Sequence, residues 1–111
     1  MTMTHKEVET YILGKPKAAL SYPFGKDVAV YKVGTTPDAK IFALIAEGSD
    51  PVRISLKCEP QLAEVLREKY ESVMPGYHLN KKHWNTIVLT GQLEEPDILA
   101  LIDLSYQLVT A

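Results

Sequence analysis

Apolar and polar positions alternate most regularly in the segment VRISLKC, residues 52–58. A period of two is typical of a strand with one face on a core and the other in water. Two strand-like runs precede it, Val28–Val33 and Ile41–Ala46, and a fourth follows at Asn85–Thr90. Gly, Pro and Asp fill the gaps between the first three runs, so we predict antiparallel hairpins.

Three other segments have helical signals. Thr4 and Glu7 form a capping box, and apolar residues at helical spacing extend it into a helix over about Thr4–Leu13. A second helix begins at Pro60, with Arg67 predicted on its outer side, and a third begins at Pro96. Apolar residues cover most of the third helix, which predicts a largely buried helix, or one with one side in the core and the other in a partner.

The predicted order is therefore α-β-β-β-α-β-α. Antiparallel strands with helices packed on one face of the sheet define an α+β fold. The chain of 111 residues fits a single domain, residues 1–111. It lacks an apolar run long enough for a bilayer and the pattern of a secretory signal, and it has one cysteine. We therefore expect a cytoplasmic protein without membrane contact.

Basic and aromatic residues are concentrated in the segment PGYHLNKKHWNT, residues 75–86. Lysines contact phosphates, asparagine can bond base edges, and tyrosine and tryptophan can stack on bases. Packing offers an alternative, in which the aromatic rings anchor a loop and the lysines are merely solvated. On chemistry alone the packing interpretation is favoured. The candidate binding residues in this segment are Tyr77, His78, Asn80, Lys81, Lys82, His83 and Trp84.

Strand alternation places Arg53, Ser55 and Lys57 in one row on the polar face of the third strand. This row either joins the basic segment in one anion-binding surface or is simply a solvated face. The net charge of -2 disfavours sequence-independent coating of DNA. It leaves room for a local basic patch, because counterion release depends on the groups that face the phosphates.

Catalytic and metal-binding signatures are not found in the sequence. Cys58 shares the apolar phase of its strand, which predicts a buried and unreactive thiol. His78 and His83 have a poor spacing for one metal site. We therefore predict no enzyme activity, no metal and no cofactor.

Several segments together resemble the MmcQ/YjbR family of small bacterial proteins. They are YPFG (22–25), IFALI (41–45), ISLKCEP (54–60), PGYHLNKKHWNT (75–86) and LIDLSYQLV (101–109). The resemblance implies a frataxin-like (CyaY-like) architecture, and members are often labelled DNA-binding. It tips the prediction towards a non-enzymatic module that binds nucleic acid. The alternative is a module that binds a protein or a small ligand.

Overall fold

The computed structural model describes residues 2–76 and 79–110. Three helices and six strands follow in the order α-β-β-β-β-α-β-β-α. The elements are α1 His5–Leu13, β1 Ala18–Ser21, β2 Val28–Val33, β3 Lys40–Ala46, β4 Arg53–Lys57, α2 Pro60–Lys69, β5 Val73–Pro75, β6 Trp84–Val88 and α3 Glu95–Thr110. The α+β class and the capping box of Thr4 and Glu7 are confirmed. The predicted element order is wrong, because it lacks two strands.

The two missed strands, β1 and β5, form the edges of the sheet, whose order is β1-β2-β3-β4-β6-β5. β1 has the sequence AALS and β5 has only the residues VMP. Alanine, serine and proline have weak preference for strands. These segments are extended because β2 and β6 offer them hydrogen-bonding partners, which a single sequence does not reveal.

The antiparallel register gives the sheet two unlike faces. Ile45, Ile54 and Ile87 stand opposite one another on β3, β4 and β6 and are buried in the core. All three helices contribute buried residues to that side, among them Val8 of α1, Ala63 of α2 and Ile102 of α3. We call this side the helix face and the other side the open face. The helices thus lie against one face, as the pattern predicts.

The third helix, α3, is buried on one side only. Ile98, Ile102 and Ser105 are buried, whereas Leu104 and Leu108 are 42% and 36% exposed. Of the two predicted arrangements, a largely buried helix is therefore wrong. Among the described residues, none of the helices combines the length and apolar character that crossing a bilayer takes.

A β-bulge in β3 interrupts the pairing with β2. Tyr31 faces Ala43 and Lys32 faces Ile41, which leaves Phe42 as the extra residue. Phe42 and Ala43 are both fully buried, and the Phe42 ring meets the Tyr106 ring of α3 edge to face at 5.2 Å. Such a bulge bends its strand and leaves backbone groups without a ladder partner.

The hydroxyl of Ser105 satisfies those groups. It donates to the Phe42 carbonyl at 2.5 Å and accepts from the Lys57 N–H at 2.9 Å. Ser105 is fully buried, so water is not an alternative partner. The pairing of β3 with β4 ends at Ala43 and Leu56. Beyond this point, a single side chain of α3 joins the two strands.

We expect Ser105→Ala to lower the free energy of unfolding by about 2–4 kcal/mol, because it leaves a buried donor and a buried acceptor unpaired. Urea denaturation measures the change. Thr110→Ala is the matched control, since it removes an exposed hydroxyl from the same helix and should alter stability by less than about 0.5 kcal/mol. Equal stability of the two variants would show that the bridge is dispensable.

Candidate functional site

The open face carries the polar row of β4 directly beside β6. Arg53 faces Val88, Ser55 faces Thr86, and Lys57 faces Trp84. The Ser55 and Thr86 hydroxyls are hydrogen-bonded at 2.8 Å, which places both side chains on this face. Because alternation puts Lys57 on the same side as Ser55, the lysine and the indole are cross-strand neighbours, whose Cβ atoms typically lie about 5 Å apart.

The charged residues of the described strands are all basic. The charged residues of the six described strands are Lys32, Lys40, Arg53 and Lys57, and none of these strands contains Asp or Glu. Alternation places Lys32, Arg53 and Lys57 on the open face. The acidic residues lie in the helices and the connecting segments instead. The open face of an acidic protein thus carries basic residues, along with the buried row of Val30, Leu44 and Thr86.

A tight turn brings the basic segment to the Trp84 end of this face. The Asn80 side-chain oxygen accepts from the Lys82 N–H at 3.0 Å, and its carbonyl accepts from the N–H groups of His83 and Trp84 at 3.1 and 3.0 Å. The His83 carbonyl accepts from the Cys58 N–H at 2.7 Å, which extends the pairing of β4 with β6. Lys81 and Lys82 are both exposed, and His83 and Trp84 are half-buried.

The turn is anchored from the helix face by Arg67. Its Nε donates to the Asn85 side-chain oxygen at 2.7 Å, and its Nη2 donates to the carbonyls of Lys81 and Trp84, the latter at 3.3 Å. Asn85 is 2% exposed and donates to the Ala63 carbonyl at 3.3 Å. The prediction that Arg67 lies on the outer side of α2 is wrong. Its guanidinium turns towards β6 and the turn, where it donates to three acceptors.

Sequence reasoning missed this anchor, although one signal was present. Asn85 opens the apolar run NTIVLT, and a buried amide inside a strand demands hydrogen-bonding partners. Arg67, eighteen positions earlier in the chain, is the partner that meets this demand. The pair could not be deduced without knowing that α2 crosses β6.

Gly76 adjoins Trp84 on the opposite side from Lys57. Its N–H donates to the Trp84 carbonyl at 2.9 Å. A Cβ at this position would lie 2.8 Å from the Trp84 Cβ and 3.3 Å from the Leu79 Cβ. Only glycine fits, because real Cβ atoms do not approach so closely. As a result, the residue beside Trp84 on this side contributes no side chain.

The structure thus brings most of the predicted site residues together. Arg53, Ser55, Lys57 and Trp84 share the open face, and the turn that follows Leu79 adjoins its Trp84 end. The Asn80 side chain is engaged in shaping that turn. Tyr77 and His78 lie outside the described residues.

Cys58 is buried, as its strand phase predicts. It is 7% exposed, and burial, with a smaller contribution from the Glu59 charge, raises the pKa of its thiol. A thiol with a raised pKa carries little thiolate at neutral pH and is a poor nucleophile. Among the described residues, His, Cys, Asp and Glu side chains do not cluster in threes suitable for a metal ion.

Fold and site define a small α+β protein whose six-stranded antiparallel sheet has the three described helices on one face and the basic residues Lys32, Arg53 and Lys57 on the other. A sequence model of the YjbR family matches residues 13–108. The chain belongs to the YjbR family.

Relatives in both sequence and structure agree with this assignment. The uncharacterized protein YjbR of Escherichia coli strain K12 is 38% identical over 105 residues, which are 95% of this chain and 86% of the relative. The uncharacterized protein YyaQ of Bacillus subtilis is 29% identical over 96% of this chain and 98% of its own. The crystal structure of Deinococcus radiodurans protein DR2400 superimposes with a TM-score of 0.92 at 36% identity, covering 98% of this chain and 80% of that one.

Cys58 should react slowly with a thiol reagent such as dithionitrobenzoate in the folded protein, because burial restricts access and raises its pKa. Labelling should become fast in denaturant. In the folded state the rate should rise only at a pH above that of an ordinary thiol. Rapid labelling of the folded protein at neutral pH would contradict the burial.

Arg67→Met keeps the aliphatic stem and removes the donors. We expect a loss of about 2–3 kcal/mol in the free energy of unfolding, because the buried Asn85 oxygen loses a charged donor. Lys69→Met, an exposed position of the same helix, is the control and should change stability by less than about 0.5 kcal/mol. Amide hydrogen exchange should accelerate in residues 79–84 of the first variant alone.

Proposed function

We propose that this protein is a non-enzymatic module that binds nucleic acid through the open face and the adjoining turn, residues 79–83. The observation that carries the proposal is the segregation of charge: the described strands bear cations and no acidic residue. Lysine and arginine displace condensed counterions from phosphates, and this release supplies most sequence-independent affinity.

The net charge of -2 is compatible with this role. The shortest principal extent of the molecule is 25 Å, whereas charges in physiological salt are screened over about 8 Å. The acidic residues of the three helices, which lie on the other side of the sheet, therefore act weakly on a polyanion at the open face. The electrostatic attraction of a bound nucleic acid comes mainly from the nearby cations, which are Lys57, Arg53 and the exposed Lys81 and Lys82.

An enzymatic role has less support. The chain has one thiol, and Cys58 is buried with a raised pKa. Two titratable clusters tie elements of the fold together: Asp103 of α3 pairs with Lys15 and accepts from Tyr11 of α1, and Glu9 of α1 accepts from the Tyr31 hydroxyl of β2. A frataxin-like architecture and a cytoplasmic location remain predictions from the sequence, and architecture alone assigns no function.

A second candidate function, binding of a protein or a small ligand, is favoured by one feature of the helix side. Leu104 and Leu108 are partly exposed and line a hollow of about 330 Å³ together with Cys58 and Leu62. Exposed apolar surface between helices suits recognition of an apolar group. This hollow lies away from the open face, so the two candidate functions predict that different substitutions reduce binding. Changes at Leu104 and Leu108 test the second function, and changes at the lysines test the first.

Replacing both Lys81 and Lys82 by alanine should weaken binding to all nucleic-acid sequences alike. The slope of log K against log salt should become shallower by up to about two units, roughly one for each phosphate that the variant no longer neutralises. Thermal stability should hardly change, because both side chains are exposed. Electrophoretic mobility titrations at several salt concentrations, run beside a melting curve, measure both quantities.

The matched control is the double variant Lys6→Ala and Lys69→Ala, which makes the same change of net charge at exposed helix positions. It should leave the affinity and the salt slope near those of the parent. If both double variants weaken binding equally, net charge and not the open face governs the interaction. If the parent binds no nucleic acid at low salt, the proposal is wrong.

A further inference from the structure

We infer that the open face takes single-stranded nucleic acid, with one unpaired base stacked on Trp84. This inference rests on the proposed function and narrows its ligand class. It follows from three features of the surface: the setting of Trp84, the line of cations that passes it, and the placement of the helices.

Trp84 is half-buried at the start of β6, between Lys57 on one neighbouring strand and Gly76 on the other side. Because glycine has no side chain, the cross-strand position on that side adds no group beside the indole, and Leu79 is the nearest described side chain to that position besides Trp84 itself. Aromatic rings beside cations form the usual stacking platforms for unpaired bases, since every base has a π face and a nearby phosphate. Trp84 and Lys57 supply both parts of such a platform.

The cations form a line across this platform. Lys81 and Lys82 lie in the turn before Trp84, Lys57 lies beside the indole, and Arg53 lies four residues further along β4. At about 3.3 Å per residue the last two are roughly 13 Å apart. The Ser55 hydroxyl stands between them. A flexible single strand can adjust its phosphates to this line, whereas a duplex presents them at fixed positions.

The placement of the helices argues against a duplex as the preferred ligand. The major groove is read by a helix or a β-ribbon that projects into it. All three helices lie on the other face of the sheet and contain acidic residues. The face of a base in a duplex is covered by its stacked neighbours, so Trp84 can stack only on a base that is unpaired or splayed out.

Trp84 is the single tryptophan of the chain and therefore reports directly on its own site. The experiment titrates the protein with oligothymidylate of about 12 nucleotides, within the range that single-strand-binding domains cover, and with a DNA hairpin of matched phosphate number whose loop is an abasic linker. Both titrations are made at low salt. We expect the single strand to quench the indole fluorescence and shield it from iodide, and the hairpin to bind more weakly with little quenching.

Two variants separate stacking from packing, with affinity measured by anisotropy of a labelled oligonucleotide. Trp84→Phe retains an aromatic face and should bind within a few-fold of the parent. Trp84→Leu retains apolar bulk but cannot stack, and should bind roughly ten-fold more weakly, as expected for the loss of one stacked base. Melting curves of both variants verify that the fold is kept.

The outcomes distinguish this inference from the function on which it rests. Equal or tighter binding of the hairpin would overturn the single-strand preference and leave nucleic-acid binding in place. Single-strand binding without quenching, and with Trp84→Leu equal to the parent, would overturn the stacking role. Absence of binding to either oligonucleotide at low salt would overturn both proposals.

Discussion

One hydroxyl, that of Ser105, joins the layers of this protein at the point where the sheet cannot pair with itself. The bulge at Phe42 turns two consecutive side chains into the core and leaves the Phe42 carbonyl without a partner in the sheet. On β4, the N–H of Lys57 also lacks a partner from β3. The buried side chain of Ser105 bonds to both groups. Because Lys57 is also the cross-strand neighbour of Trp84, α3 fixes the end of the candidate site from the opposite face.

The turn at residues 79–83 is likewise held in place from the helix face. Its backbone is held by Arg67, which the buried Asn85 positions in turn, while Lys81 and Lys82 are exposed. Groups that determine shape and groups available for ligand are thus different residues. Changes in stability and changes in binding can therefore be separated by mutation, which is uncommon where a loop is both structure and site.

Segregation of charge explains how an acidic chain can offer a surface for a polyanion. Lys32, Arg53 and Lys57 lie on the face opposite the helices, and the described strands contain no acidic residue. Screening over about 8 Å lets two such surfaces act independently on one small domain. Net charge alone therefore does not describe the surface that the sheet presents.

The sequence by itself determined the helices, the four long strands and the buried phase of Cys58, because each depends on local periodicity and capping. It also singled out Arg53, Ser55, Lys57 and Trp84. Tertiary structure decided the rest. The edge strands β1 and β5 are extended through pairing with their neighbours, and the adjacency of β4 and β6 unites the polar row with Trp84. The hydrogen bonds of Arg67 with Asn85 and of Ser105 with Phe42 span eighteen and sixty-three positions, and no local pattern encodes partners that only meet when the layers pack.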